Sequence, residues 1–396
     1  MSSTIPALFR PIQVGDITLR HRVVLAPLTR FRASKKQVLM DLAVKYYTQR
    51  ASVPGTLLIT EATYISHQAS GMAHTPGIYT DEQIAVWKKV RGPGSEAGVT
   101  AQLEGIMIES DDVVDAVHAH GSYIFLQIWA LGRMARPGSG FEAEEGIAYV
   151  APSPVPIRQT PDLVPRELTK DEIKQYVGWY AQAAEDAVQR AGFDGIEVHG
   201  ANGYLVEQFL NDRTNKRTDE YGGSIENRAR FALEVIDAIA ARIGQTKTAI
   251  RLSPWFEGRA KDVLMEDPVP TYTYLVDQFK RRFPNLAYLH VIEPEAPYNV
   301  APKEKSQTDF IYKLWAPRRV ITTGGYDRKS GLETAEETGQ LVGYGRAFLA
   351  NPDLPFRLQK DIPLNAVEED TVYRPEAEQG YTTYPFSEEF LKSEKR

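Results

Sequence analysis

Eight short runs of nearly continuous apolar residues recur along the chain: VVLAPL (23–28), TLLITEA (56–62), YIFLQIW (123–129), GIEVHG (195–200), TAIRLSP (248–254), AYLHVIE (287–293), RVITTGG (319–325) and QLVGYGR (340–346). Runs with little polar alternation suit parallel strands covered on both faces. Helical patterns lie between them. One starts after Thr169 as N-cap, carries acids in its first turn and stops at Gly192; a second runs from Ser224 to Gly244 in the same way. Eight strands alternating with helices predict an α/β fold, a closed (β/α)8 TIM barrel, spanning 1–396 as one domain. A doubly wound open sheet would normally carry G-x-G-x-x-G after its first strand, and APLTRFRA has no glycine.

The rhythm breaks once. TDEQIAVWKKV (80–90) opens a helix with a Thr80-x-x-Gln83 capping box, and VDAVHAHG (114–121) reads as the end of one. Joining residue 90 to residue 114 aligns Ile84, Trp87, Val114 and Val117 on one stripe, whereas Gly92-Pro93-Gly94 would break a helix. The reading is an insertion, 91–113, in the second barrel helix, on the outer shell and away from the strand ends. A retained intron and a genuine extra loop are its two possible origins, and sequencing the transcript separates them. Long loops follow the third and fourth strands, at 131–168 and 201–224; the first, rich in Pro and Gly, is expected to form a lid or small hairpin over the barrel mouth.

Composition narrows the classes. The chain of 396 residues is 42% hydrophobic and 25% charged with a formal charge of −6, which suits a globular protein and argues against a nucleic-acid surface. It has no cysteine, so disulfides, thiolate metal sites and a cysteine nucleophile are excluded. No apolar run approaches the roughly 20 residues needed to span a bilayer. The start shows no secretory pattern and the end no lipidation signal, so a cytoplasmic protein is expected.

A barrel places its chemistry at the C-terminal ends of its strands. TTGG and GYGR after the last two strands expose backbone in the positions where barrels commonly hold a phosphate, and Arg346 adds a cation; tight βα turns would also account for the glycines. Arg251 and Gln127 lie within apolar strands, where each needs partners. Glu197 or Glu293 could serve Arg251, and a planar heterocycle with carbonyls and ring nitrogens would satisfy both. His199 and Asn202 can donate to one oxygen as an electrophilic clamp, and the phenol of Tyr204 is a proton donor at neutral pH. A metal is disfavoured, since one His and an Asn without a carboxylate cluster make a poor ligand set.

APLTRFRA, LLITEATYIS, FLQIWALGR, HGANGYLVEQFLNDRTNKRTDEYGGSIENRARF and LVGYGRAFLANPDL, in that order, resemble the Old Yellow Enzyme family of FMN-dependent ene-reductases. The similarity is greatest to the fungal and plant oxophytodienoate-reductase-like branch and covers essentially all of the chain outside 91–113. It implies that FMN is bound by Pro27, Thr29, Ala62, Gln127, Arg251, Gly324, Gly325, Gly345 and Arg346. His199 and Asn202 would hold the substrate carbonyl, Tyr204 would protonate the α-carbon, and Trp129 and Tyr373 would wall the pocket. Val372, smaller than the Phe often found there, implies more room on that side. The implied reaction is reduction of the C=C bond of an α,β-unsaturated ketone or aldehyde with NADPH, by hydride transfer from flavin N5 to the β-carbon. Two alternatives stand: a redox-neutral flavin isomerase of an enal or enone, and an inactive, flavin-poor product caused by the insertion. A monomer or homodimer acting on a small molecule is expected, with no membrane or nucleic-acid partner.

Overall fold

The apolar runs form the staves of a closed parallel barrel: β1 (Val23–Leu25), β2 (Leu57–Ile59), β3 (Tyr123–Trp129), β4 (Gly195–Gly200), β5 (Thr248–Leu252), β6 (Tyr288–Ile292), β7 (Val320–Thr323) and β8 (Leu341–Tyr344). Each pairs with the next, and β8 closes on β1. This is a computed structural model in which residues 5–88, 112–136, 146–256, 264–294 and 307–394 are described, together with the backbone of 101–103 and 106–108.

Side-chain alternation along the strands sorts the barrel into layers. Leu126, Ile128, Ile196, Val198, Ile250, Leu252, Leu289 and Val291 point outward into the main core under the helices. Val24, Phe125, Ala249, Tyr288, Ile321 and Leu341 instead share a cluster with Ile12, Val14, Ile17 and Leu19. Those last four belong to an antiparallel hairpin, Ile12–Val14 with Ile17–Leu19, that plugs the N-terminal end. Two residues further along the same inward faces the character changes to Gln127, Glu197, Arg251 and His290, with His199 beyond Glu197. The barrel is therefore greasy at its base and polar towards its C-terminal mouth.

The helices start and stop where their caps dictate. Thr169 and Glu172 close a reciprocal capping box before Lys170–Glu185, which continues as one π turn to Arg190, and Gly192 turns the chain at φ +81°. Ser224 caps Ile225–Ile243, and Gly244 ends it at φ +86°. The second barrel helix is in two pieces. Asp81–Trp87 carries the Thr80/Gln83 box, and Val113–Ala119 has its own N-cap in Asp112. Ile84, Trp87, Val114 and Val117 are buried as the proposed stripe requires. Of the expected insertion, Ala101–Leu103 and Ile106–Ile108 form an antiparallel pair; most of the remainder lies outside the described residues. After β3, the described part of the expected lid contains a parallel pair, Val150–Ala151 with Arg166–Glu167, in place of a hairpin ladder.

A C-terminal strap, 368–384, is fastened across the β1 side by three buried arginines. Arg30 donates to the carbonyls of Val372 (3.2 Å) and Gly380 (2.7 Å), and Arg32 to those of Thr371 (2.9 Å), Val372 (3.0 Å) and Ala377 (2.9 Å). Arg50 reaches Leu349 and Tyr381. Tyr46 and Tyr381 stack at 4.3 Å, and the guanidinium of Arg50 lies 3.7 Å from the Tyr46 ring centre. Carbonyl acceptors and ring faces are what make such burial of cations tolerable.

Candidate active site

Towards the mouth the inward polar residues are wired to one another. Gln127 Nε2 donates to Glu197 Oε1 at 2.7 Å, and His290 Nδ1 lies 2.8 Å from Glu197 Oε2, with its Nε2 3.3 Å from Thr323 Oγ1. Burial opposes ionisation of Glu197, but His290, Arg251 and Gln127 outweigh it and leave the carboxyl below its usual pKa. Both Glu197 oxygens are thus engaged. Glu293 is engaged elsewhere, by Thr308, Tyr312 and Thr322. Arg251, lowered to about 10 chiefly by burial, keeps a buried Nε with no hydrogen-bond partner among the described residues. The Gln127 amide is oriented by the carboxylate that takes its N–H, which leaves its carbonyl oxygen as the other polar end.

His199, Trp129 and Tyr204 come together at the ends of β3 and β4. The Tyr204 ring meets Trp129 edge-on at 4.5 Å and His199 at 4.8 Å, and Trp129 stacks on His199 at 5.9 Å. Burial, then the charges of Arg251 and His290, pushes the His199 pKa well down, so the imidazole is neutral and its Nδ1 has no partner among the described residues. Between His199 and Tyr204 the chain makes a left-handed turn, with Asn202 at φ +58° and Gly203 at φ +78°. Asn is among the few residues that accept this region cheaply.

What holds that turn is a buried carboxylate. Glu207 accepts from Gly203 N, from Ser253 Oγ at 3.0 Å and from Tyr272 Oη at 3.0 Å, and Ser253 Oγ in turn accepts from Asn202 N at 2.8 Å. Gln208 Nε2 adds bonds to the carbonyls of Gly203 (2.8 Å) and Leu131 (2.9 Å). Burial raises Glu207 from 4.5 to about 7. A carboxyl whose pKa rises on folding contributes stability that is complete below its unfolded pKa and is lost as pH climbs through its folded one. Glu207→Gln is therefore expected to flatten the fall in unfolding free energy between pH 4.5 and 7, by up to about 3 kcal/mol. Denaturant titrations of both proteins at several pH values check this; parallel profiles would remove Glu207 as the source.

The other expected positions surround this centre. Pro27 is buried and Thr29 half-buried in the loop after β1, and Ala62 is buried after β2. Gly324, Gly325 and Gly345 leave backbone partly open after β7 and β8, and Arg346 pairs with Glu369 at 2.8 Å. Tyr373, on the strap, is exposed and lies 6.0 Å from Phe31. Val372 is buried in a cluster with Leu349, Ala350 and Tyr384, against which Leu28 also packs. No group of three or more His, Asp or Glu suited to a metal occurs among the described residues.

Three participants escape a reading by residue type. His290 could have been found by parity, since it shares the inward face of YLHVIE with Tyr288. Glu207 lies only three residues after Tyr204 but looks like an ordinary helical acid. Phe31 sits at φ +57°, a conformation costing a bulky residue about 1–2 kcal/mol, which no sequence pattern announces.

Comparison with known proteins places the chain in a family with this fold. The model of the NADH:flavin oxidoreductase / NADH oxidase family matches residues 7–111 and 104–365. The chain is 43% identical over 393 residues to chanoclavine-I aldehyde reductase fgaOx3 of Penicillium roqueforti (98% of each chain). It is 42% identical over 389 residues to 12-oxophytodienoate reductase 1 of Oryza sativa subsp. japonica (96% of this chain, 93% of the other). Relatives at 38–40% identity include proteins whose names carry the word inactive. Among solved structures, the Old Yellow Enzyme from Pichia sp. AKU4542 superposes with a TM-score of 0.83 at 35% identity, covering 97% of this chain and 94% of the other. The chain belongs to the NADH:flavin oxidoreductase / NADH oxidase family and, within it, to the Old Yellow Enzymes.

Proposed function

We propose that the protein is an FMN-dependent ene-reductase that uses NADPH to reduce the C=C bond of α,β-unsaturated ketones and aldehydes. The observation that carries this reading is the contact of a neutral His199 with the Tyr204 ring, 4.8 Å between centroids, beside the Asn202 turn. Support for ligands at the mouth comes from Arg251 Nε, on the cofactor side, and His199 Nδ1, on the substrate side, buried polar atoms without partners among the described residues. Such atoms carry a desolvation cost that a ligand with carbonyls and ring nitrogens would relieve.

Bound at the strand ends, FMN supplies the hydride chemistry. Pro27, Thr29, Ala62 and Gln127 would hold its ring, with Gln127 offering the carbonyl end that Glu197 leaves free. Arg251 would add a cation beside it. Gly324, Gly325, Gly345 and Arg346 would hold the phosphate. His199 and Asn202 grip the substrate carbonyl oxygen and stabilise the enolate charge that gathers there. Tyr204, wedged by Trp129 and His199, holds its proton beside the α-carbon and delivers it.

The test is a spectrum of the purified protein. A flavin band that is bleached by NADPH and restored by a small enone, with reduced ketone as product, is the expected result. Double-bond migration without net NADPH consumption would point to the isomerase instead. Colourless protein that also fails to take up added FMN would favour an inert product.

A further inference from the structure

The triplet Arg30-Phe31-Arg32 places a strained aromatic residue between two of the three arginines that fasten the strap. Phe31 has φ +57°, and its carbonyl accepts from Glu376 N at 3.0 Å. Its ring lies 6.0 Å from Tyr373 at an interplanar angle of 59° and packs on the apolar cluster of Ala62, Tyr64, Met72 and Trp129, against which Tyr204 also packs. Strain of this kind persists only where the surroundings over-determine it, and it concentrates at ligand clamps. Here those surroundings are the carbonyl clasp on either side. The clasp fixes the backbone so that Phe31 faces the same apolar cluster as the proton donor, with Tyr373 as the outer rim.

Resting on the ene-reductase reading, we infer that Phe31 is a specificity-determining residue of the pocket, and that with Tyr373 it selects enals and enones whose β-substituent is a flat ring system. The carbonyl of such a substrate is held at His199 and Asn202. Its body then passes Tyr204 and meets the rings of Phe31 and Tyr373 at the rim, where edge-to-face and offset stacking favour planar rings over short alkyl groups. A small enone ends before it reaches that rim.

Phe31→Gly separates the ring from the backbone, because glycine adopts positive φ without strain. With the flavin-loaded enzyme, the expected result is a roughly tenfold or larger fall in the ratio of kcat/KM for cinnamaldehyde to that for cyclohexenone, carried by KM. Both substrates are turned over by the same variant, so a general loss of turnover cancels in this ratio, and the flavin spectrum should be retained. Binding gives a second readout: titrating the flavin absorbance with 2-naphthol and with phenol should show the naphthol preference falling by the same factor, and Phe31→Tyr should keep it. An unchanged cinnamaldehyde-to-cyclohexenone ratio together with an unchanged naphthol preference in Phe31→Gly overturns the inference and leaves the ene-reductase reading intact. A parent protein that binds neither flavin nor phenols overturns both.

Discussion

Replacing Tyr204 by Phe is expected to slow reoxidation of the reduced enzyme by an enone by roughly 10²- to 10⁴-fold, the usual worth of a positioned proton donor. Reduction by NADPH should change by no more than about twofold, because no proton leaves Tyr204 in that step. The ring is clamped edge-on between Trp129 and His199, at 4.5 and 4.8 Å, so Phe can fill the same space and the lesion is confined to one hydroxyl. Stopped-flow measurement of the two half-reactions separates them. Equal slowing of both would mean that Tyr204 shapes the pocket without carrying the proton.

His199→Ala should weaken phenolate ligands, which resemble the enolate, by roughly 10²- to 10³-fold, as loss of one oxyanion donor does elsewhere. The imidazole is neutral because burial and then the nearby Arg251 and His290 disfavour a second cation, so its contribution is a hydrogen bond and not a charge. A pH-independent loss across pH 6–8 follows, apart from the titration of the phenol itself. His199→Asn retains an N–H donor and should recover part of the affinity. Undiminished binding in the Ala variant, read from the flavin absorbance, removes His199 from the clamp.

Much of this was legible in the sequence. Polar residues inside apolar runs are expensive, and Gln127, His199 and Arg251 stand out for that reason. All three face the barrel interior near its mouth. The strands were legible as runs, but several are shorter than the runs suggest: TLLITEA yields only Leu57–Ile59, because the chain leaves the ladder as Thr60 to Ala62 turn into the loop. Side-chain pairing could name Glu197 or Glu293 as partners for Arg251 but could not tell that both would be spoken for. The fastening of the strap was not legible, although Tyr373 on it was. Arg32 bonds main-chain oxygens as far as 347 positions away, and a carbonyl leaves no mark in a sequence.

Main-chain recognition of that kind has a consequence for how the pocket can be altered. Apart from the Tyr381 ring, which Tyr46, Arg30 and Arg32 hold, the clasp is made on carbonyls, so most side chains of the strap are independent of its fastening. Residues along the strap that do not pack inward can be exchanged without unbuckling it, which makes it the natural place to alter the rim of the proposed pocket.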